Sequence, residues 1–281
     1  MAELIAPQQI QQEDATALAD VGVDTSEQDR SATYVLRDHL PLCVVTYIDG
    51  LEMLPIAQAL EKYDWLREDY FWKAVPADKD DITAQVAADP EPQGYFIRVK
   101  KGVKIKSPAQ AALYMAHGGT SQKVHNVVIL EEDSELHLIT GCTTAHQVRS
   151  GLHLAASEMY IGKNATLTNT MVHSWGPEVV IRPRAATVVE DDGRFISNYV
   201  ALRPGLDIQS NPHTYLNGRG ASAKYLTIIL GSQGAIVDTG GGVYPKREGP
   251  SAELAPPGGC TRGPVRPRGV FVGHPPRRGP R

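Results

Sequence analysis

The stretch Val127-Val128-Ile129-Leu130-Glu131-Glu132-Asp133-Ser134-Glu135-Leu136-His137-Leu138 decides the fold: an apolar run, a polar corner, then apolar residues at alternate positions. A period of two marks a strand, and Asp-Ser at the corner is turn chemistry. The corner recurs at Lys163-Asn164, Asp192-Gly193, Arg219-Gly220 and Glu248-Gly249, about every 27 to 30 residues. Apolar residues precede it at Met159 to Ile161, Thr187 to Val189 and Tyr215-Leu216, and alternating ones follow, as in Ala165, Leu167 and Met171. A unit of that length cannot bury its own apolar face, and stacking on the next copy completes each core, which is the logic of a solenoid. An antiparallel sandwich, with each corner closing a hairpin, satisfies the same spacing. Periodicity alone leaves both open.

Outward from the repeats the texture changes on both sides. Pro55 opens a segment, Ile56 to Trp72, whose apolar residues Ile56, Ala59, Leu60 and Tyr63 recur at helical spacing. Lys73 to Gln93, rich in Asp, Ala and Pro, reads as a connection and a domain boundary. The expected division is a mobile polar arm over 1–30 with a short helix near Gln11 to Leu18, an α-containing region over 31–93, a β core over 94–245 and a tail over 246–281. That tail is dominated by Pro, Gly and Arg, including Pro256-Pro257, Pro275-Pro276 and Arg277-Arg278. One reading makes it a basic arm for an acidic partner. Its composition favours a disordered or aberrant end, because it offers too little apolar surface to offset the entropy of ordering.

The chain has 281 residues, with 28 Lys and Arg against 32 Asp and Glu. A net charge of -4 calls for neither nucleic acid nor an anionic membrane as partner. Met1 to Asp14 lacks a basic region followed by an apolar core, and no run is long enough to span a bilayer, so a cytoplasmic protein is expected. Cys43, Cys142 and Cys260 are widely separated with no CxxC spacing, which argues for free thiols and against a disulfide framework or zinc ribbon. Gly162-Lys163 is followed by Asn and lacks the upstream Gly of a phosphate loop, so ATP hydrolysis by this chain is not expected. GxSxG, HExxH and GxGxxG are absent, and Glu131-Glu132 and Asp191-Asp192 sit at turn edges, where charge is ordinarily solvated.

The candidate for chemistry is Cys142, in Ile139-Thr140-Gly141-Cys142-Thr143-Thr144-Ala145-His146. A thiol reacts as its thiolate, so nearby positive charge or donors must lower its pKa from about 8.5. His146, four residues on, would share a face with Cys142 in an extended chain, and His137 and His153 flank it on expected neighbouring strands. Together they form a thiolate-tuning or metal-ligand set. Against this stands the packing reading, in which Cys142 is a small buried hydrophobe and the histidines are surface or satisfied core residues. Packing is also the default for Cys43, in Leu42-Cys43-Val44-Val45, and for Trp175, in His173-Ser174-Trp175-Gly176. Cys260 carries no functional assignment.

Several blocks resemble the SufB/SufD scaffold proteins of iron–sulfur cluster assembly: Leu51-Glu52-Met53-Leu54-Pro55-Ile56, Glu61-Lys62-Tyr63-Asp64-Trp65-Leu66, the Val127–His137 stretch, Gly141-Cys142, Gly151-Leu152-His153 and Val180-Ile181-Arg182-Pro183-Arg184. The resemblance covers about residues 22 to 245. It implies a mainly β fold, a right-handed parallel β-helix preceded by a small helical N-terminal region, and so decides for the solenoid. It further implies that Cys142, on a Gly-Cys turn, accepts sulfur as a persulfide through a partly accessible, low-pKa thiol, with Trp175 and His173 lining the interior along which sulfur passes. A transient iron–sulfur cluster is the implied cargo, and the implied partners are a SufC-type ABC ATPase, a second SufB/SufD-like protomer and a cysteine desulfurase as sulfur donor. Near Tyr114 and Ala116 bacterial SufB proteins carry Arg and Asn, which places this chain closer to the archaeal or undifferentiated branch. Family members continue past the last repeat into subunit-pairing strands, distal cluster ligands and a helical segment that docks the ATPase. None of these is recognisable here, and only echoes such as Gly269-Val270-Phe271-Val272-Gly273 remain, so a truncated or frame-shifted copy is expected. Two other readings stand beside this one: a β-helix enzyme acting on polysaccharide, marked by a carboxylate-lined groove, and a non-functional remnant.

Overall fold

The computed structural model describes residues 4–246, 251–254 and 265–272. A 3-10 turn (Pro7–Gln9) and helix α1 (Gln12–Ala19) precede strands β1 (Ala32–Arg37), β2 (Leu40–Thr46) and β3 (Leu51–Pro55). Three short helices follow, α2 (Ile56–Lys62), α3 (Asp64–Asp69) and α4 (Asp81–Ala87). Then come β4 (Tyr95–Val99), β5 (Ala109–Met115), β6 (Thr120–Leu130), β7 (Glu135–Thr144), β8 (Ser150–Ile161), β9 (Thr166–Trp175), β10 (Glu178–Val189) and β11 (Arg194–Pro204). The last described strands are β12 (Asp207–Ser210), β13 (His213–Leu216), β14 (Ser222–Ile229), β15 (Ile236–Pro245), β16 (Ser251–Leu254) and β17 (Val265–Val272).

Strands on either side of each corner lie in different sheets, so the corners close no hairpins. In one sheet Glu135 lies opposite Thr166, Thr166 opposite Arg194, and Arg194 opposite Ser222, all in parallel register. In the other, Val127, Glu158, Ala186, His213 and Gly242 stack in the same way. This is a parallel β-solenoid of about five turns. The corner residues explain why it forms here: Asp133, Asn164, Asp192 and Gly220 all adopt positive φ, between 54° and 66°. Asp, Asn and Gly tolerate that left-handed conformation best. The first three corners also hand their N–H to the next coil, Asp133 to the Lys163 carbonyl, Asn164 to Asp191 and Asp192 to Arg219. The fifth expected corner, Glu248-Gly249, lies outside the described residues.

Alternate residues of each strand point inward. Leu136, Leu138 and Cys142 of β7, Ala155, Met159 and Ile161 of β8, and Phe195 and Ala201 of β11 share one core that fills the coils. Helices cover the outer faces: Leu60, Leu66 and Phe71 lie on Phe96, Val127 and Ile129, while Val86 of α4 lies on Leu154 and Ala156.

Three expected segments are corrected. In place of a mobile arm, residues 10–23 are packed on the first sheet, with Leu18, Val21 and Val23 fully buried against Ala112, Tyr114, Ala145 and Val148. Tyr114 donates to Asp14 at 2.6 Å and anchors the segment. The α-containing region over 31–93 holds its expected helices but is continuous with the core, since β1 pairs in parallel with β5 while β2 and β3 pair antiparallel with β1 and β4, closing the first coil. The expected connection carries α4, capped by Asp80, whose carboxylate also receives Arg184 of β10. Within 246–281, β16 and β17 extend the two sheets in parallel, which corrects the expectation of disorder for those strands. The rest of that expectation, with Cys260, lies outside the described residues.

Candidate functional site

Strand alternation places Cys142 inside the solenoid and Gly141 outside it. A Cβ on Gly141 would come within 2.5 Å of Val21 and 2.8 Å of Val23, so the glycine is required by the N-terminal segment packed over β7. Cys142 is therefore an inward strand residue and not part of a turn, which corrects the reading of Gly141-Cys142. Its register partners are Leu113 on one side and His173 on the other, each a strand spacing of about 4.8 Å away.

Leu113 makes one side of the Cys142 environment apolar, and on the His173 side the interior turns polar. His173 Nδ1 and the Tyr199 hydroxyl are 3.1 Å apart. The Trp175 ring lies 4.9 Å from the His153 ring and 5.7 Å from that of His173. His153 Nδ1 meets Gln122 Oε1 at 2.9 Å. The Gln122 amide donates to the Asp38 and Tyr114 carbonyls, which turns its oxygen toward the imidazole, so His153 carries its proton on Nδ1. The indole N–H of Trp175 and the amide oxygen of Asn169, on the same inward face of β9, are buried with no hydrogen-bond partner. Groups left so in a native interior call for an explanation.

Burial sets the electrostatics. It pushes the Cys142 thiol up to about 12 and brings His153 down to about 4. His173 falls to about 3, through burial first and the neighbouring His153 second. Tyr95 and Tyr199 are raised by burial, with Cys142 as a further cause, and the Tyr95 hydroxyl meets Thr140 Oγ1, two residues before Cys142, at 3.4 Å. At neutral pH the cluster is therefore a protonated thiol among neutral imidazoles and phenols. The expectation of a low-pKa, accessible thiol is corrected: Cys142 is 1% exposed, and among the described residues no cation faces it to counter desolvation.

The other expected histidines divide. His153 faces Cys142's interior from the opposite sheet, whereas His137 points outward on Cys142's own strand and bonds Thr170 at 2.9 Å. His146 lies beyond the end of β7, exposed, with its Nε2 2.9 Å from Asp20. Neither belongs to the cluster. Sequence reading missed Gln122, Tyr95 and Tyr199, whose positions depend on coil register, a quantity with no local signal. Cys43 is buried with Leu18 and Tyr114, in keeping with packing.

A cavity of 400 Å³ at the corners is lined by Tyr70, Tyr160, Glu131, Glu132 and Glu190, the carboxylate groove that a polysaccharide enzyme needs. Its chemistry does not follow. Arg98 and the Lys101 N–H hold Glu131 below the usual carboxylate range, and Glu132 pairs with Lys101. A general acid needs the opposite shift. Among the described residues no three His, Cys, Asp or Glu side chains converge to hold a metal ion.

Residues 113–252, the coils that carry this cluster, match the family model described as SUF system FeS cluster assembly, SufBD core domain. A relative from Archaeoglobus fulgidus, named an iron-sulfur cluster assembly SufBD family protein, is 38% identical over 263 residues, 94% of this chain and 70% of its own length. The chain belongs to the SufBD family. A second such relative, from Methanothermobacter thermautotrophicus, is 39% identical over 90% of this chain and 62% of its own length, whereas one from Staphylococcus aureus is 27% identical over 70% and 42%. The archaeal likeness agrees with the branch indicated at Tyr114 and Ala116. This SufBD chain spans about three-fifths of the Methanothermobacter protein. Among its described residues no helix is long and apolar enough to cross a membrane.

Proposed function

We propose that the chain is a scaffold for iron–sulfur cluster assembly in which Cys142 accepts sulfur inside the solenoid. The observation that carries this is the placement of Cys142 opposite His173 in a polar interior lined by Trp175 and His153. In the transfer step the Cys142 thiolate attacks the terminal sulfur of a donor persulfide R–S–SH. A sulfur–sulfur bond forms at Cys142 while the donor's breaks, and R–S⁻ leaves and takes up the proton released by Cys142. Products are Cys142–S–SH and R–SH, with no net redox change. His173, neutral and adjacent in register, stands beside the thiol as a hydrogen-bonding neighbour, and the proton passes to the leaving R–S⁻. The unpartnered Trp175 N–H is a donor for the sulfur that arrives.

A cysteine desulfurase serves as the persulfide donor. Onward assembly of a transient cluster uses a second SufB/SufD-like protomer and a SufC-type ABC ATPase, which supplies the ATP hydrolysis; this chain acts as scaffold and not as enzyme. The seclusion of Cys142 supports transfer only when the interior opens on assembly with those partners. Incubation of the chain with a desulfurase, cysteine and the ATPase, followed by peptide mass spectrometry, should add the mass of one sulfur atom to the Cys142 peptide and nothing to Cys142→Ser. A folded complex with unmodified Cys142 would overturn the sulfur-acceptor role.

A further inference from the structure

A second buried polar centre lies on the outer face of the solenoid, beneath α3 and α4 and away from Cys142. Glu158 of β8 is fully buried. One carboxylate oxygen accepts from the Ala74 and Val75 N–H groups at 2.6 and 3.0 Å, the other from the Trp72 N–H at 2.7 Å. His125 Nε2 lies 2.7 Å from the second oxygen. Both Glu158 oxygens already accept N–H groups, so in the pair with His125 the donor is assigned to Nε2. The His125 ring is clamped by Phe71 at 4.2 Å and Trp72 at 4.1 Å. Its other nitrogen, Nδ1, is an acceptor, buried and without a partner.

His125 is 1% exposed and lines a cavity of 160 Å³ between α3, α4 and the loop before β4. With Nε2 committed to Glu158, Nδ1 is the nitrogen left for that space. Gln93 lines the cavity too, and its side-chain oxygen is a second buried acceptor without a partner. Arg67 and Lys123 stand in the wall, and among the described residues neither has a carboxylate ion-pair partner. Asp89 is the wall's acidic residue, and it accepts the Glu91 N–H.

The cavity thus offers two acceptors at depth, two cations and an apolar side made by Val86 and Phe71. A metal cation would meet Arg67 and Lys123 with too few ligands. A simple anion would leave both acceptors unsatisfied, and a buried acceptor without a partner is destabilising. A molecule with a cationic donor and an anionic group a few bonds apart satisfies all four. A cavity of this order holds about six heavy atoms, the size of benzene or alanine. We propose that this cavity binds a small α-amino acid as its zwitterion, the ammonium donating to His125 Nδ1 and Gln93 Oε1 and the carboxylate facing Arg67 and Lys123.

Calorimetric titration of the full chain with glycine, alanine, serine and valine tests it, with acetate and methylammonium as half-ligands. At least one amino acid should bind, at least about tenfold more tightly than either half-ligand, and quench Trp72 fluorescence relative to Trp72→Phe. Arg67→Met and Lys123→Met, which leave the Glu158 cluster intact, should each weaken binding about fivefold or more with unchanged circular dichroism. Any of three results overturns the proposal: no amino acid binding to the folded chain, acetate binding as well as alanine, or binding indifferent to the Arg67→Met, Lys123→Met double change.

Discussion

At Cys142 reactivity is governed by desolvation. With the thiol pushed up to about 12, its thiolate fraction at pH 7 is on the order of 10⁻⁵, against a few per cent for an ordinary cysteine. The isolated chain should therefore alkylate at Cys142 with iodoacetamide about three orders of magnitude more slowly than a model thiol, while the assembled complex, if opening accompanies assembly, restores reactivity at that site. Equal rates in both, read by peptide mass spectrometry, would show that the coils do not gate access. Cys142's inward face was partly legible, because Leu136 and Leu138 set the parity of β7. His173 and Trp175 were legible as interior only through family likeness. The misplacement of His146 has a simple cause: the strand ends at Thr144, before the parity that would have kept it beside Cys142 can apply.

Elements follow the corners. Asp133, Asn164 and Asp192 were readable as turns because only a few residue types accept positive φ, and the structure shows all three there. Substituting valine at Asn164 should cost about 1–3 kcal/mol through backbone strain, with a further loss from its 2.7 Å bond to Asp133, and urea unfolding measures it. What local sequence did not disclose is where α1, α4 and β1–β3 dock. α4 is short and mostly exposed; its Asp80 cap, its tie to Arg184 and its contact of Val86 with Leu154 are tertiary facts. The N-terminal segment is polar enough to read as mobile, yet Gly141 opens the groove that receives Val21 and Val23. Gly141→Ala should displace that segment at a cost of about 1–3 kcal/mol, and limited proteolysis should then cut within residues 4–23 before the coils. Cleavage rates equal to the parent's would show that the segment's seat does not depend on this glycine.

Across the whole molecule, the two histidines buried inside the coils, His153 and His173, make the solenoid acid-labile from its middle, and His125, also held down by burial on the outer face, acts with the same sign. His153 and His173 stay neutral in the folded chain until about pH 4 and about pH 3, but in the unfolded chain they take protons near the ordinary 6.5. Between those limits the unfolded state binds more protons, so stability rises with pH. The contribution is fully present above pH 6.5 and falls by up to about 1.4 kcal/mol per pH unit for each histidine as pH drops toward 4. Asp80 and Glu131, both held below the usual range, add losses of the same sign at lower pH. In a stack each coil is stabilised chiefly by its neighbours, so protonation at β8 and β9 weakens the coils on either side together. Urea midpoints at pH 7, 6 and 5 should fall steeply, and His153→Gln should flatten the slope even where it lowers the midpoint at pH 7. A profile flat from pH 7 to 5 would mean that water reaches these imidazoles, and with it that Cys142 is less secluded than its burial indicates.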